Sequence, residues 1–278
     1  MQAGRRDLRD IPAGARDPLS AAIGGRDAQT LEVVRRAVAA RDVLLAFQPV
    51  VDARDPRRVA FYEGLIRILD PEGRPVPAGD FLPAVEATPT GREIDCLALE
   101  MGLEVLARQP DIRLSINMSA RSIGYRRWLQ VLRAGLMRDE TVGPRLILEM
   151  SEPSVMQVPE LVTAFMADLQ RQGISFALDD FGTGVTVLRY FRDFLFDIAK
   201  IDGAFVRGVA RDADNQALVG ALIDVARQFD MFTVAEAVER AADAAWLSEA
   251  GVDCLQGYFF GAPTVHPPWH LPEVRTGT

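Results

Sequence analysis

The chain has 278 residues, enough for one large domain or two small ones. Hydrophobic residues make up 49% and charged residues 25%, the balance of a soluble globular protein rather than a disordered or fibrous one. A net charge of −8 without any basic run argues against a nucleic-acid polymer as partner, and no apolar run is long enough for a membrane span. Residues 1–27, rich in Arg, Asp, Gly and Ala, lack the apolar core of a signal peptide and read as a flexible leader. The domain is expected over 28–270, with a C-terminal tail at 271–278. Cys96 and Cys254 are too few for a disulfide framework and sit in no metal-ligand spacing. Both are expected as buried free thiols in a reducing, cytoplasmic compartment.

In chain order, Leu31, Val34 and Val38 predict an amphipathic helix over 27–41. Apolar runs at 44–51, 59–66, 113–118, 145–150, 175–180, 197–201, 232–236 and 253–257 predict eight strands. Helical patterns at 93–109, 125–138, 159–172, 187–192, 215–230 and 241–249 separate the later ones. Short buried strands alternating with helices predict parallel βα units. The expected class is α/β, a modified (β/α)8 barrel of the TIM type. Residues 52–58 are too few for a crossover helix, so the first two strands should form an antiparallel hairpin, leaving one strand reversed.

In such barrels the chemistry sits at the C-terminal ends of the strands. There the sequence places Glu63 and Arg67, Asn117, Glu149, Asp179-Asp180, Lys200, Glu236 and Gln256. Each alone is no more than a helix cap or a loop anchor. Together they bring a polar group from every strand from the second to the eighth, which would be costly without a shared purpose. Glu63, Asn117, Glu149 and Asp179 are hard oxygen donors suited to Mg2+ or Mn2+, with Asp180 placed to reach a second ion. Of 31 basic residues only Lys200 is a lysine. A site that needs a compact ammonium or a proton carrier cannot use arginine. Gly182 and Gly184 in Asp179-Asp180-Phe181-Gly182-Thr183-Gly184 allow positive φ or close backbone approach. His266 and His270 lie in the tail, so no Ser-His-Asp system can be assembled.

These residues resemble the EAL phosphodiesterases of cyclic di-GMP. The likeness runs from about residue 44 to 263. It rests on Phe47-Gln48-Pro49-Val50-Val51, Glu63-Gly64-Leu65-Ile66-Arg67, Asn117-Met118-Ser119, Glu149-Met150-Ser151-Glu152, the Asp179–Gly184 motif, Lys200-Ile201-Asp202, Ala235-Glu236-Ala237-Val238-Glu239 and Gln256-Gly257-Tyr258-Phe259-Phe260. The resemblance implies that Glu63, Asn117, Glu149 and Asp179 hold one metal and that Asp179, Asp180 and Glu236 surround another. Lys200 would hold the attacking water, Gln256 would complete its environment, and Arg67 and Gln48 would meet substrate. Glu152 would anchor the glycine-containing loop, and Glu239 would support the site from behind. The implied reaction is hydrolysis of cyclic di-GMP to pGpG by water activated between two Mg2+ or Mn2+ ions. A homodimer is also implied.

Three positions depart from the family pattern. Gly64 stands where alanine is usual, with little effect expected. Val185-Thr186-Val187 replaces an aromatic and two small polar residues, and Ala262 replaces a basic one. The altered loop motivates an alternative, a degenerate EAL domain that senses cyclic di-GMP without hydrolysing it. Apart from the resemblance, the acids also fit a metal-dependent barrel hydrolase of sugar phosphates.

Overall fold

The computed structural model describes residues 18–184 and 190–270. The expected helix at 187–192, the Val185-Thr186-Val187 segment, residues 1–17 and the tail 271–278 fall wholly or partly outside them. The first helix, α1 (Pro18–Ala40), starts well before the expected 27. Gly24-Gly25 is a poor helix-forming pair, but flanking alanine and leucine are good helix formers and proline suits a first turn. Residues 18–27 of the expected leader are therefore helical, and the expected boundary at 28 falls within this helix.

Strands β1 (Val43–Asp52) and β2 (Val59–Leu69) form the antiparallel hairpin, with Gln48 opposite Glu63. Their tight link is set by Asp52, whose Oδ1 accepts from the N–H groups of Arg54 at 2.8 Å and Asp55 at 3.3 Å. A short strand β3 (Pro75–Pro77), absent from the sequence expectation, adds to the edge of β2. The six parallel strands follow: β4 (Leu114–Asn117), β5 (Leu146–Ser151), β6 (Ser175–Phe181), β7 (Ile198–Ile201), β8 (Phe232–Ala235) and β9 (Cys254–Gln256). The order β1-β9-β8-β7-β6-β5-β4-β2, closed by β1 against β2, is an eight-stranded barrel. The strand β1 runs antiparallel to both neighbours, as expected.

Around the barrel lie α2 (Leu82–Val85), α3 (Pro89–Arg108), α4 (Arg126–Arg138), α5 (Glu152–Val155), α6 (Pro159–Gln170), α7 (Gly203–Val206), α8 (Ala213–Gln228) and α9 (Ala241–Ala250). Among the described residues no helix is long and apolar enough to cross a membrane. Cys96 is buried, whereas Cys254 is only half-buried, because β9 is short and its first residue stands at the barrel's edge.

The interior carries two apolar clusters. The larger lies between the sheet and the helices. The smaller is a plug inside the N-terminal half of the barrel, built from Val50, Phe61, Ile147, Ala177, Ile198 and Val234. Side chains on a strand return to one face every second residue. Two residues beyond each plug residue on β2, β5, β6, β7 and β8 stand Glu63, Glu149, Asp179, Lys200 and Glu236. On reversed β1 the same step runs backwards, from Val50 to Gln48. One period-two step thus separates a dry plug from an ionised layer.

The Gly64 departure has a packing partner. Gly64 pairs with Ile116 across β2 and β4. A methyl at Gly64 would stand 2.8 Å from Ile116 Cδ1, which also lies 2.7 Å from where Gly102 of α3 would carry a Cβ. Ile116 is fully buried and fills the space that alanine would need. Gly64→Ala should therefore cost about 1–3 kcal/mol by overpacking. Adding Ile116→Val should recover part of that loss in urea denaturation. Strict additivity of the two changes would refute the coupling.

Candidate active site

Lys200 stands at the centre of the ionised layer, with its side chain only 1% exposed. Its Nζ lies 2.8 Å from Glu149 Oε2, 2.8 Å from Glu236 Oε1, 3.2 Å from Glu63 Oε2 and 3.4 Å from Asp179 Oδ1. Burial disfavours the ammonium, but the surrounding carboxylates outweigh it and hold Lys200 well above its usual range. Arginine's wide planar head would not fit this focus, which accounts for the chain's single lysine.

One ammonium cannot neutralise four carboxylates. The excess shows in the acids. Burial, then the charge of Glu63, pushes Glu149 up to about 8. Burial also carries Glu236 well above the ordinary carboxylate range. Glu63 is the exception. Burial raises it too, but Lys200 and hydrogen bonds from Gln256 and Asn117 prevail and hold it low. Gln256 Nε2 donates to Glu63 Oε2 at 2.5 Å, and Asn117 Nδ2 donates to Glu63 Oε1 at 2.7 Å. Gln48 Oε1 accepts from Gln256 Nε2 at 3.2 Å, while its own Nε2 donates to Gly261 O at 3.0 Å.

The layer retains unsatisfied oxygen. Glu149 Oε1 and Gln256 Oε1 are buried without a hydrogen-bond partner, and Asp179 Oδ1 has only its longer contact to Lys200. Such orphaned hard oxygens fit a divalent cation of the Mg2+ or Mn2+ kind. Among the described residues, however, no three Asp, Glu, His or Cys side chains close on one cation position. The carboxylates are aimed at Lys200 instead, so binding an ion requires them to turn from the ammonium.

Asp180 enters through a break in β6. The register slips between Leu178 and Phe181, and Asp180 takes a φ of +57°. Burial, then Asp179 and Asp202, raises its carboxyl to about 6. The following loop is held as expected. Glu152 accepts from Gly182 N–H at 3.2 Å and from the Gly184 backbone. Gly182 has a φ of +101°, and a Cβ on Gly184 would stand 2.0 Å from Glu152 Oε1. Glycine is required at both.

This anchor belongs to a longer chain of bonds. On α3, buried Asp95 accepts with Oδ2 from Ser119 N–H at 3.0 Å and Ser122 Oγ at 2.6 Å. Ala120 N–H of the same loop donates to Ser154 Oγ at 2.8 Å. Ser154 shares the single turn of α5 with Glu152. The loops that follow Asn117, Glu149 and Asp179 are thereby tied to one another and to α3.

A cleft of about 390 Å³ opens onto the layer, lined by Gln48, Glu63, Glu236 and Gln256 and, at the rim, by Asp202, Arg207, Glu239 and Tyr258. Arg67 lies on β2 one and two period-two steps beyond Leu65 and Glu63, half-buried, with Nη1 donating to Ile66 O at 3.0 Å. Glu239 is not behind the site. It is exposed at the rim, 3.6 Å from Arg207 Nε, because the chain turns at Ala237, whose φ is +53°. Sequence reasoning gave no role to Arg207 or Tyr258. Arg207 is one arginine among many, whereas Tyr258, 71% exposed beside exposed Phe259, carries a signal as a surface aromatic pair. His266 is exposed, with its backbone N–H donating to Thr264 Oγ1 at 3.1 Å.

Comparison with known proteins agrees with this fold. The family model described as "EAL domain" matches residues 31–263. The bifunctional diguanylate cyclase/cyclic di-GMP phosphodiesterase MucR of Pseudomonas aeruginosa is 30% identical over 240 residues, 84% of this chain and 35% of the relative. The cyclic di-GMP phosphodiesterase PdeB of Shewanella oneidensis is 30% identical over 234 residues, covering 83% and 27%. The chain spans about a third of the length of the curated relatives it matches. Among solved structures, the PaMucR phosphodiesterase in complex with c-di-GMP aligns with a TM-score of 0.73 at 29% identity, over 85% of this chain and 97% of that one. The FimX EAL domain of Pseudomonas aeruginosa, at 24% identity and a TM-score of 0.77, covers 85% and 96% and supports the fold.

Two outcomes follow from the buried charges. Lys200→Met removes the only cation among four acids and should destabilise the metal-free protein by about 3–5 kcal/mol. The loss should be smaller at pH 5 than at pH 8, since protonation relieves the repulsion. A melting temperature within a degree of the parent at pH 8 would contradict it. Asp95, raised to about 7 chiefly by burial, contributes stability below its ordinary range that is lost as pH rises through 7. Asp95→Asn keeps an acceptor oxygen for both serines. Its stability relative to the parent should therefore rise by roughly 2–4 kcal/mol between pH 4 and pH 8. A pH-independent difference in urea midpoints would show that the carboxyl is ionised throughout.

Proposed function

Because the chain belongs to the EAL domain family, we propose that it is a metal-dependent phosphodiesterase that hydrolyses cyclic di-GMP to linear pGpG. The observation that carries this is the convergence of Glu63, Glu149, Asp179 and Glu236 on Lys200 beneath an open cleft. No site acid of the family pattern is missing. Two ions of the Mg2+ or Mn2+ type would supply the charge that activates water and stabilises the attacking and leaving oxygens.

The residues divide the remaining work. Glu63, Asn117, Glu149 and Asp179 would hold one ion, and Asp179, Asp180 and Glu236 the other. Lys200 would direct an N–H toward the attacking water. Gln256 and Gln48 form a hydrogen-bonded pair that keeps the Glu63 carboxylate in place. Arg67 would meet the phosphate that enters the cleft, since its charge is not consumed by any ion pair among the described residues. Glu152 keeps the loop after Asp180 in register with the layer.

A second reading has its own support. Lys200 already lies within 3.4 Å of all four carboxylates, and among the described residues they close on no cation position. A domain locked in that state would bind cyclic di-GMP as a sensor and leave it intact.

The two are separated by incubating the protein with cyclic di-GMP and Mg2+ or Mn2+ and analysing the products. The expected result is pGpG, with the rate lowered by at least about 100-fold in Glu63→Gln, a larger cost than loss of an outer-shell partner. Intact nucleotide that nevertheless binds to well-folded protein would establish the sensor.

A further inference from the structure

A second cavity lies at the opposite end of the barrel from the cleft. It has a volume of about 490 Å³ and is lined by Arg58, Arg113 and Arg145 around the first residues of β2. The three arginines share one structural position. Each immediately precedes a strand, β2, β4 or β5, and these strands are neighbours in the sheet. Leu114 pairs with Leu146, so Arg113 and Arg145 stand side by side at the barrel's N-terminal mouth.

The three guanidiniums are not equally committed. Arg145 is structural. It donates from Nη1 to Leu106 O and Gln109 O, both at 2.8 Å, from Nε to Thr141 O at 3.0 Å, and from Nη2 to Thr141 Oγ1 at 3.1 Å. It therefore caps the end of α3. Arg58 has one loose ion pair, 3.7 Å to Asp52, and is otherwise exposed. Arg113 is exposed and makes no hydrogen bond or ion pair from its side chain among the described residues. The one carboxylate on the cavity wall is Asp111. Counting the ion-pair partners Asp52 and Asp139 as well, three positive groups meet three negative ones, and Arg113 is the arginine of the three without an ion pair among the described residues.

Between the arginines the wall carries Val59, Ala60, Phe61, Tyr62, Pro110 and Ile112, an apolar strip within a mostly polar lining. Cationic forks around an apolar floor, in a cavity of several hundred Å³, match a ligand with an anionic head and a flat body. We propose that this mouth is a second binding site, taking a phosphate-bearing small molecule of mononucleotide size. Arg113 and Arg58 take the phosphate and the start of β2 receives the ring. The site shares no residue with the cleft, so it stands whether or not the chain hydrolyses cyclic di-GMP.

The test uses GMP as probe on the full chain in EDTA, with binding followed by titration calorimetry. GMP should bind, guanosine should not, and inorganic phosphate should bind at least tenfold more weakly than GMP. Arg58→Gln combined with Arg113→Gln should weaken GMP at least tenfold while leaving the ligand-free melting temperature unchanged. Arg113→Glu, a single change at an exposed position, should give a comparable loss if the double variant folds poorly. Arg67→Gln, at the far end of the barrel, should leave GMP affinity as it was. Absence of binding at millimolar GMP would overturn the proposal. So would a loss that follows Arg67→Gln instead of the mouth arginines, since GMP would then lie in the cleft. Phosphate binding as tightly as GMP would remove the role given to the apolar floor and overturn the nucleotide-sized site.

Discussion

Burying one ammonium is the constraint on which the rest of this structure depends. Taking Lys200 out of water costs several kcal/mol unless anions surround it. The barrel supplies four, more than one cation can balance. Burial, joined by this mutual repulsion, lifts Glu149 to about 8 and Glu236 well above the ordinary carboxylate range. A core that only needed to be stable would place apolar residues here, because a packed hydrophobic layer usually does at least as well as a buried ion cluster. The surplus of negative charge is instead what a divalent cation would relieve.

The scaffold meets this cost by layering. Directly below the charges lies the dry plug of Val50, Phe61, Ile147, Ala177, Ile198 and Val234. It closes the barrel from beneath and fixes the strands whose next inward residues are ionic. Around the rim, the bonds from Asp95 to Ser119 and Ser122, from Ala120 to Ser154, and from Gly182 to Glu152 tie successive loops together. Side chains set on strands and held by such bonds keep their geometry better than side chains set on free loops.

What was legible in the sequence follows from periodicity. All eight barrel strands were expected within a few residues, because strands buried on both faces read as continuous apolar runs. Lys200 was conspicuous as the one lysine, and the acids were found because each ends such a run. The rim was not legible. Glu239 faces outward and Arg207 faces the cleft because of local turns, including the positive φ of Ala237, which no two-residue or helical period encodes. The start of α1 lies before the Leu31, Val34, Val38 periodicity that marks the helix, and β3 is too short and proline-rich to read as a strand. That Ile116 fills the space a methyl at Gly64 would need is a long-range complementarity that local sequence does not encode.

The break in β6 shows how far the fold departs from regularity to complete the site. In an unbroken strand Asp179 and Asp180 would face opposite sides of the sheet. The slipped register and the left-handed turn at Asp180 send both to the same end of the barrel. A non-glycine residue in that conformation costs on the order of 1–2 kcal/mol, and Asp180 pays a further burial cost that lifts its carboxyl to about 6. Asparagine or glycine would avoid much of this. Such strain persists only where neighbours over-determine it, and Glu152 does so from the next loop by gripping Gly182 and Gly184. Two adjacent carboxylates, held at a cost that neither packing nor capping explains, are best accounted for by a positive ligand shared between them.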